Sequence, residues 1–249
     1  MVTIVDLKNL NKIPYIMDIL VRLNNQTAGR DKIIRLFQYS SRAGWYYTPN
    51  TSGTSHASDV LKSLEYTFSS FRKLLRLGRC IDSLYGALST MNYPELVVRI
   101  TLTLSRITNA LYLLADHMIW ISRVGLFRVN LDKWNSIGNK YWLLTIIMNL
   151  VRDVYEISQI MKQNNSLRLS QFNILSKNFR FDKYRTMYQI SEHKDVWLDT
   201  IKNGCDLFIP LTALGHTKLS PGMIGILGLI SSTIGIYCLV DPRAKLSPA

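Results

Sequence analysis

Cysteine, glycine, proline and acidic side chains are all scarce in this chain of 249 residues, and each scarcity removes a class of protein. The three cysteines, Cys80, Cys205 and Cys238, are odd in number, far apart and without a CxxC pair. That pattern excludes a disulfide scaffold and points to a reducing compartment. Thirteen glycines and seven prolines are too few for a collagen or a low-complexity linker protein. Charged residues make up only 19% while apolar ones make up 47%, which excludes a globally disordered coil. Catalytic signatures are missing as well. There is no GxSxG, P-loop or GxGxxG, and His56, His117, His193 and His216 stand apart without zinc-motif spacing. Asp116 and His117 are neighbours on a helix and do not face each other, so they read as satisfied core groups rather than a dyad. No enzyme, metal or cofactor is expected. The stretch Met1 to Lys12 has no apolar run of the secretory kind, so the glycosylation-type triplets at Asn25, Asn50 and Asn164 read as chance matches.

What is present is greasy and basic. Thirty Lys and Arg against seventeen Asp and Glu give a net charge of +13, with a mean hydropathy of +0.06. The excess is diffuse along most of the chain, which argues against a nucleic-acid patch, and basic and aromatic residues interleave only around Phe179–Tyr188. The window 66–81 is different, with four basic residues and no acid. The pattern from Val60 to Leu88 is helical. At 100° per residue, Phe71, Leu74, Leu75, Leu77, Ile81, Leu84, Tyr85 and Leu88 share one sector, and Arg72, Lys73, Arg76 and Arg79 fall opposite. Such a helix suits a membrane interface, its apolar side among acyl chains and its cations on anionic headgroups. The same pattern also fits a solvated face on a bundle helix or a calmodulin-type target. Gly78, inside the pattern, permits a bend.

Met223 to Val240 holds no charge over 18 residues, which at about 1.5 Å each just spans a thin hydrocarbon core. Gly228 with Ser232, and Ser231 with Gly235, have the four-residue spacing that lets helices pack closely in lipid; a buried helix of a soluble protein is the alternative. Gly222, Gly225 and Gly228 likewise suit packing better than phosphate binding. Leu96–Ile121 carries Arg99, Arg106 and His117 on nearly one line, and Tyr141–Ile160 groups Asn149, Arg152, Asp153 and Glu156 on one face. Neither is a clean span. Pro14–Leu23 and Arg30–Tyr46 read as a helix pair, and 161–190 as a polar loop. The fold expected is all-α. It is a membrane-associated helical bundle with an amphipathic helix over 60–90 in an N-terminal cytosolic region 1–95. An apolar hairpin follows over 96–160, then a polar loop 161–202, and then a terminal segment 203–249 containing the transmembrane helix 223–240.

Five blocks in order resemble the peroxin-eleven family, the membrane proteins that elongate peroxisomes and promote their division. They are Gly29–Tyr39 (GRDKIIRLFQY), Phe71–Gly78 (FRKLLRLG), Asn109–Asp116 (NALYLLAD), Lys133-Trp134 with Tyr141–Glu156, and Asn203–Leu211 (NGCDLFIPL). The resemblance weakens over 1–28 and 161–200, where family members differ among themselves. It implies an integral peroxisomal membrane protein with both termini in the cytosol; the tail Lys245–Ala249 is not a peroxisomal matrix address. It also implies insertion of the helix at 60–88 into the outer leaflet, self-association, and recruitment of a dynamin-type GTPase with its tail-anchored adaptors. Membrane contact carried over from the family falls on Phe71, Arg72, Lys73, Leu74, Leu75, Arg76, Leu77 and Arg79. Some members resemble solute channels, for which Arg99 and Arg106 would line the path. A pure adaptor for division factors is a further alternative. Two cytosolic termini require an even number of spans, and Lys218 before the terminal helix against Arg243 and Lys245 after it give a slight bias toward a cytosolic tail.

Overall fold

A computed structural model describes residues 12–48, 55–171 and 193–246, and every regular element among them is helical. In chain order these are α1 (Lys12–Asn25), α2 (Thr27–Tyr47), α3 (Ser55–Leu75), α4 (Arg79–Thr90), α5 (Leu96–Val124), α6 (Leu131–Gln171), α7 (Lys194–Ala213) and α8 (Pro221–Val240). A 3-10 turn, Pro242–Ala244, follows. The starts and stops follow local chemistry. Ser220 caps α8 by accepting from the Met223 N–H, with Pro221 in the first turn, where its missing N–H costs nothing. Gly125 ends α5 and Gly215 follows α7, both in the left-handed conformation that only glycine adopts without penalty.

The helix expected to run unbroken over 60–88 is two helices. Gly78 takes φ = 82°, and the hydrogen bonds around it tighten to i→i+3, with Leu77 N–H donating to Leu74 and Arg79 N–H to Arg76. A left-handed residue cannot continue a right-handed helix, so α4 restarts after it. The expected loop 161–202 is also shorter. α6 continues to Gln171 and α7 begins at Lys194, while 172–192 lies outside the described residues, as do 1–11 and 247–249.

Helices α2 to α8 form a closed ring, with α3 and α4 acting as one broken rod. α2 packs on α3, α4 on α5, α5 on α6, α6 on α7, α7 on α8, and α8 returns to α2. The helices α2 and α8, from opposite ends of the chain, therefore pack together. Neighbouring helices run antiparallel, as contacts at both ends of α2–α3, α4–α5 and α5–α6 show. Glu65 meets Trp45 and Arg42 while Arg72 meets Asp31. Thr90 meets Thr103 while Ser83 reaches Arg106. Ser105 meets Asn149 while Tyr112 stacks on Trp142. At the other end of the circuit Lys194 on α7 donates to Asp241 past the end of α8 over 2.7 Å. That hydrogen bond holds the Asp241 carboxyl below its ordinary range and raises the Lys194 ammonium.

The distribution of polarity is the reverse of a soluble bundle. Buried residues include Asp31, Arg35, Arg72, Arg76, Asp116, Arg152, Asp153, Asn203 and Asp206. The buried apolar cluster formed by Tyr39, Ile209 and Ile224 is small by comparison. The outside carries apolar stripes at helical spacing. On α5 the exposed side chains are Leu96, Ile100, Leu104, Ile107, Leu111, Leu114 and Val124, with no polar one among them. On α6 they include Leu144, Ile147, Val151 and Val154, and on α8 Met223, Ile226, Ile230 and Tyr237. Polar residues turned inward and apolar ones outward suit a helical bundle surrounded by lipid. Among the described residues only Pro221–Val240 is long and apolar enough by composition to cross a membrane; the other helices carry an inward polar face.

Candidate membrane-facing rod and its polar backing

The broken rod α3–α4 concentrates the residues singled out by sequence, and its two faces have opposite surroundings. Phe71, Leu74, Leu77, Ile81, Leu84, Tyr85 and Leu88 all point outward. Ile81 is 69% exposed and Tyr85 77%, although both are large and apolar. Leu75 is half-buried toward the bundle. The kink at Gly78 keeps the stripe continuous, since it redirects the chain without turning Leu77 or Ile81 inward.

The basic side faces inward, not toward a headgroup layer. Arg72 donates from Nε to Asp31 Oδ1 at 3.1 Å and from Nη1 to Gln38 Oε1 at 2.6 Å. Arg76 donates to Asp31 Oδ1 at 3.0 Å, to Asp116 Oδ2 at 3.0 Å and to the Tyr112 hydroxyl at 2.8 Å. Lys73 pairs with the other oxygen of Asp116. His117 sits against the Arg76 carbonyl at 2.9 Å, so Asp116 and His117 are satisfied core groups as their spacing suggested. Arg79 is half-buried and lines the interior. The physical reason is pairing: two aspartates 40 or more residues away in the chain, on α2 and α5, supply the only carboxylates that Arg72, Lys73 and Arg76 contact among the described residues. Such carboxylates in a low-dielectric interior hold guanidinium groups that would otherwise seek water.

Sequence reasoning missed Asp31, Gln38 and Tyr112 as partners. A usable signal was present in the spacing. Asp31, Arg35 and Gln38 recur at i, i+4 and i+7 and share one face of α2, from which Asp31 and Gln38 reach α3 and Arg35 reaches α7. Arg35 continues the network by pairing with Asp206 on α7. A second polar cluster, Arg152 to Asp199 at 2.6 Å and Asn203 to Asp153 at 2.8 Å, joins α6 to α7, and it uses the polar face noted at 149–156.

The small residues of α8 form an intramolecular seam. Gly228, Ser231, Ser232 and Gly235 are all buried. A methyl group added at Gly228 would lie 2.3 Å from the Tyr39 ring, one at Gly225 2.7 Å from the Ala43 backbone nitrogen, and one at Gly235 3.2 Å from the Lys32 side chain. Ser232 returns its hydroxyl to the Gly228 carbonyl at 2.6 Å, so it adds no polar cost. The close approach expected of this spacing is therefore made to α2 of the same chain.

A family model described as Peroxisomal biogenesis factor 11 (PEX11) matches residues 17–240. Peroxisomal membrane protein 11A of Homo sapiens is 32% identical over 92% of this chain and 99% of its own length. Peroxisomal membrane protein 11B of Homo sapiens is 31% identical over 93% and 100% respectively. The peroxisomal membrane protein 11 homolog of Dictyostelium discoideum is 29% identical over 89% and 93%. No solved structure matches the chain.

Proposed function

Because the chain belongs to the PEX11 family, membrane proteins of peroxisomes with a role in peroxisome biogenesis, we propose that it remodels and elongates the peroxisomal membrane from within the bilayer. The observation that carries this reading is the run of outward apolar side chains from Phe71 to Leu88 on a rod whose cations Arg72, Lys73 and Arg76 are paired internally. A helix whose cations are already paired gains nothing from leaving the bundle for headgroups. It gains on the order of 1 kcal/mol for each large apolar side chain moved from water into acyl chains. The ring therefore inserts as a body, with the α3–α4 rod as its remodelling edge. Many copies crowded into one leaflet expand it and bend the membrane. Elongation then proceeds by self-association, through outer faces other than the α2–α8 seam, and leads to fission with a dynamin-type GTPase and its tail-anchored adaptors. Those partners rest on the family resemblance alone.

The ring's outer stripes also support an integral arrangement with both termini on the cytosolic side. An even number of antiparallel staves, counting the α3–α4 rod as one, returns the chain to the side where it began.

The test replaces Leu77, Ile81, Leu84 and Leu88 together with glutamine. None of them touches the ion-pair network, so folding and peroxisomal targeting are expected to survive. Peroxisomes in cells carrying only the variant should stay short, and the purified variant should not tubulate liposomes containing anionic phospholipid. A correctly folded variant that elongates peroxisomes as well as the natural protein does would overturn the mechanism.

A further inference from the structure

The centre of the ring holds a cavity of about 340 Å³ reached by α2, α3, the start of α4, α5, α6 and α7. A second of similar size adjoins it and shares Lys32, Asn109, Thr145, Asn149 and Lys202 with it. The charge in the first cavity is unbalanced. Seven Lys and Arg side chains line it, against three aspartates, among the described residues. Arg35, Arg72, Lys73 and Arg76 are held by those aspartates, and Lys202 by Asp199 nearby. Among the described residues, Lys32 and Arg79 make no hydrogen bond or close ion pair, and Arg35, only 5% exposed, leaves its Nε hydrogen without a partner. Cations gathered in a low-dielectric interior repel one another, and each unpaired one costs free energy.

We propose that this cavity binds a phosphate-type oxyanion. The unsatisfied donors enter from different sides, Lys32 and Arg35 from α2 and Arg79 from the start of α4. A tetrahedral anion with acceptors in several directions meets such a set better than a planar carboxylate. The volume fits: a water takes roughly 30 Å³, so the site accommodates one phosphate with several bridging waters. The oxyanion is either a free phosphate or the phosphate of an anionic lipid whose headgroup enters between helices. This site is separate from the outer face that bends the membrane, and it does not depend on that reading.

Thermal unfolding of the full-length protein tests the proposal. The protein in detergent is titrated with sodium phosphate against sodium chloride at matched ionic strength. It is also examined in nanodiscs of phosphatidylcholine with and without phosphatidic acid. The variants are Lys32→Met, which keeps the stem that packs on Gly235, and Arg79→Gln at a half-buried position. Neither side chain belongs to the ion-pair network, and unchanged helicity in chloride checks their folding; should Lys32→Met unfold, Arg79→Gln alone carries the readout. A saturable rise in the unfolding midpoint with free phosphate, with affinity weakened by about tenfold or more in the variants, supports a free oxyanion. A rise with phosphatidic acid only, lost in the variants, supports a lipid headgroup. No saturable rise from either source, or the same rise in both variants, overturns the proposal.

Discussion

At the scale of the residue, Arg76 and Asp31 decide how the bundle closes. Arg76 is 8% exposed and reaches two aspartates and a tyrosine, and Asp31 accepts from both Arg76 and Arg72. Removing one partner of a buried pair leaves the other charged without compensation, at a cost of about 3–5 kcal/mol. Asp31→Asn leaves Arg72 without a carboxylate and Arg76 with Asp116 alone while preserving shape, so it should destabilise the protein by about that much in denaturant unfolding in micelles. The exposed pair Lys62 with Asp59 is the control, where Lys62→Gln should change stability by under about 0.5 kcal/mol. A four-fold reversal of Arg72, Lys73, Arg76 and Arg79 to glutamate should accordingly fail by misfolding, and would not report on headgroup contact. The sequence pattern divides 71–79 into an apolar and a basic face, and the readings it suggests put the cations on headgroups or water, not on buried carboxylates. Periodicity carries no sign: the same wheel serves a helix with cations on water and a helix with cations on buried carboxylates. The partners that settle it, Asp31 and Asp116, lie 41 and 40 residues from Arg72 and Arg76.

At the scale of the element, three glycines with different surroundings give three different expectations. Gly78 has open space around it but φ = 82°, so Gly78→Ala meets backbone strain rather than a clash. It should cost about 1 kcal/mol and straighten the α3–α4 rod, which a distance measurement between labels on the two helices would detect. Gly225 has ordinary helical geometry but faces the α2 backbone at 2.7 Å, so Gly225→Ala must push α2 and α8 apart and should lose about 1–3 kcal/mol in the same unfolding assay. Gly204, inside α7 with nothing within 4 Å, should instead gain about 0.5–1 kcal/mol as alanine, through helix propensity and a less flexible unfolded chain. The stripe on α8 was legible because small residues in an Ile/Leu run are unusual. Its partner was not, because α2 offers to it Tyr39, Ala43 and the stem of Lys32, which share no obvious motif. The helix break at Gly78 was marked only as a permitted bend, since glycine in a helical pattern signals tolerance of φ > 0 and not its use.

At the scale of the whole molecule, the question is which side of the membrane each end of the ring faces. The antiparallel staves put the start of α2, the junction of α4 with α5, the end of α6, the start of α7 and the end of α8 at one end of the ring. The end of α2, the start of α3 and the α5–α6 and α7–α8 connections lie at the other. Basic residues are unequally shared between them. In sequence, the stretches flanking the first end hold Lys8, Lys12 and Arg22 before α2, Lys177, Arg180, Lys183 and Arg185 between α6 and α7, and Arg243 with Lys245 after α8. The second has Arg128 between α5 and α6 and Lys218 between α7 and α8, while 48–54 holds no charge. An excess of Lys and Arg in short connections marks the cytosolic side. If the ring is embedded as its outer stripes indicate, the N-terminus, the C-terminus and residue 180 should all face the cytosol. The connections at 50, 128 and 218 should face the peroxisomal lumen. Protease sites placed at each of these positions in intact peroxisomes provide the measurement. Those at the two termini and at 180 should be cut without detergent, and those at 50, 128 and 218 only after the membrane is dissolved. Cleavage at 128 in sealed organelles would mean that α5 and α6 lie along the surface instead, and the ring would then have to open to meet the bilayer.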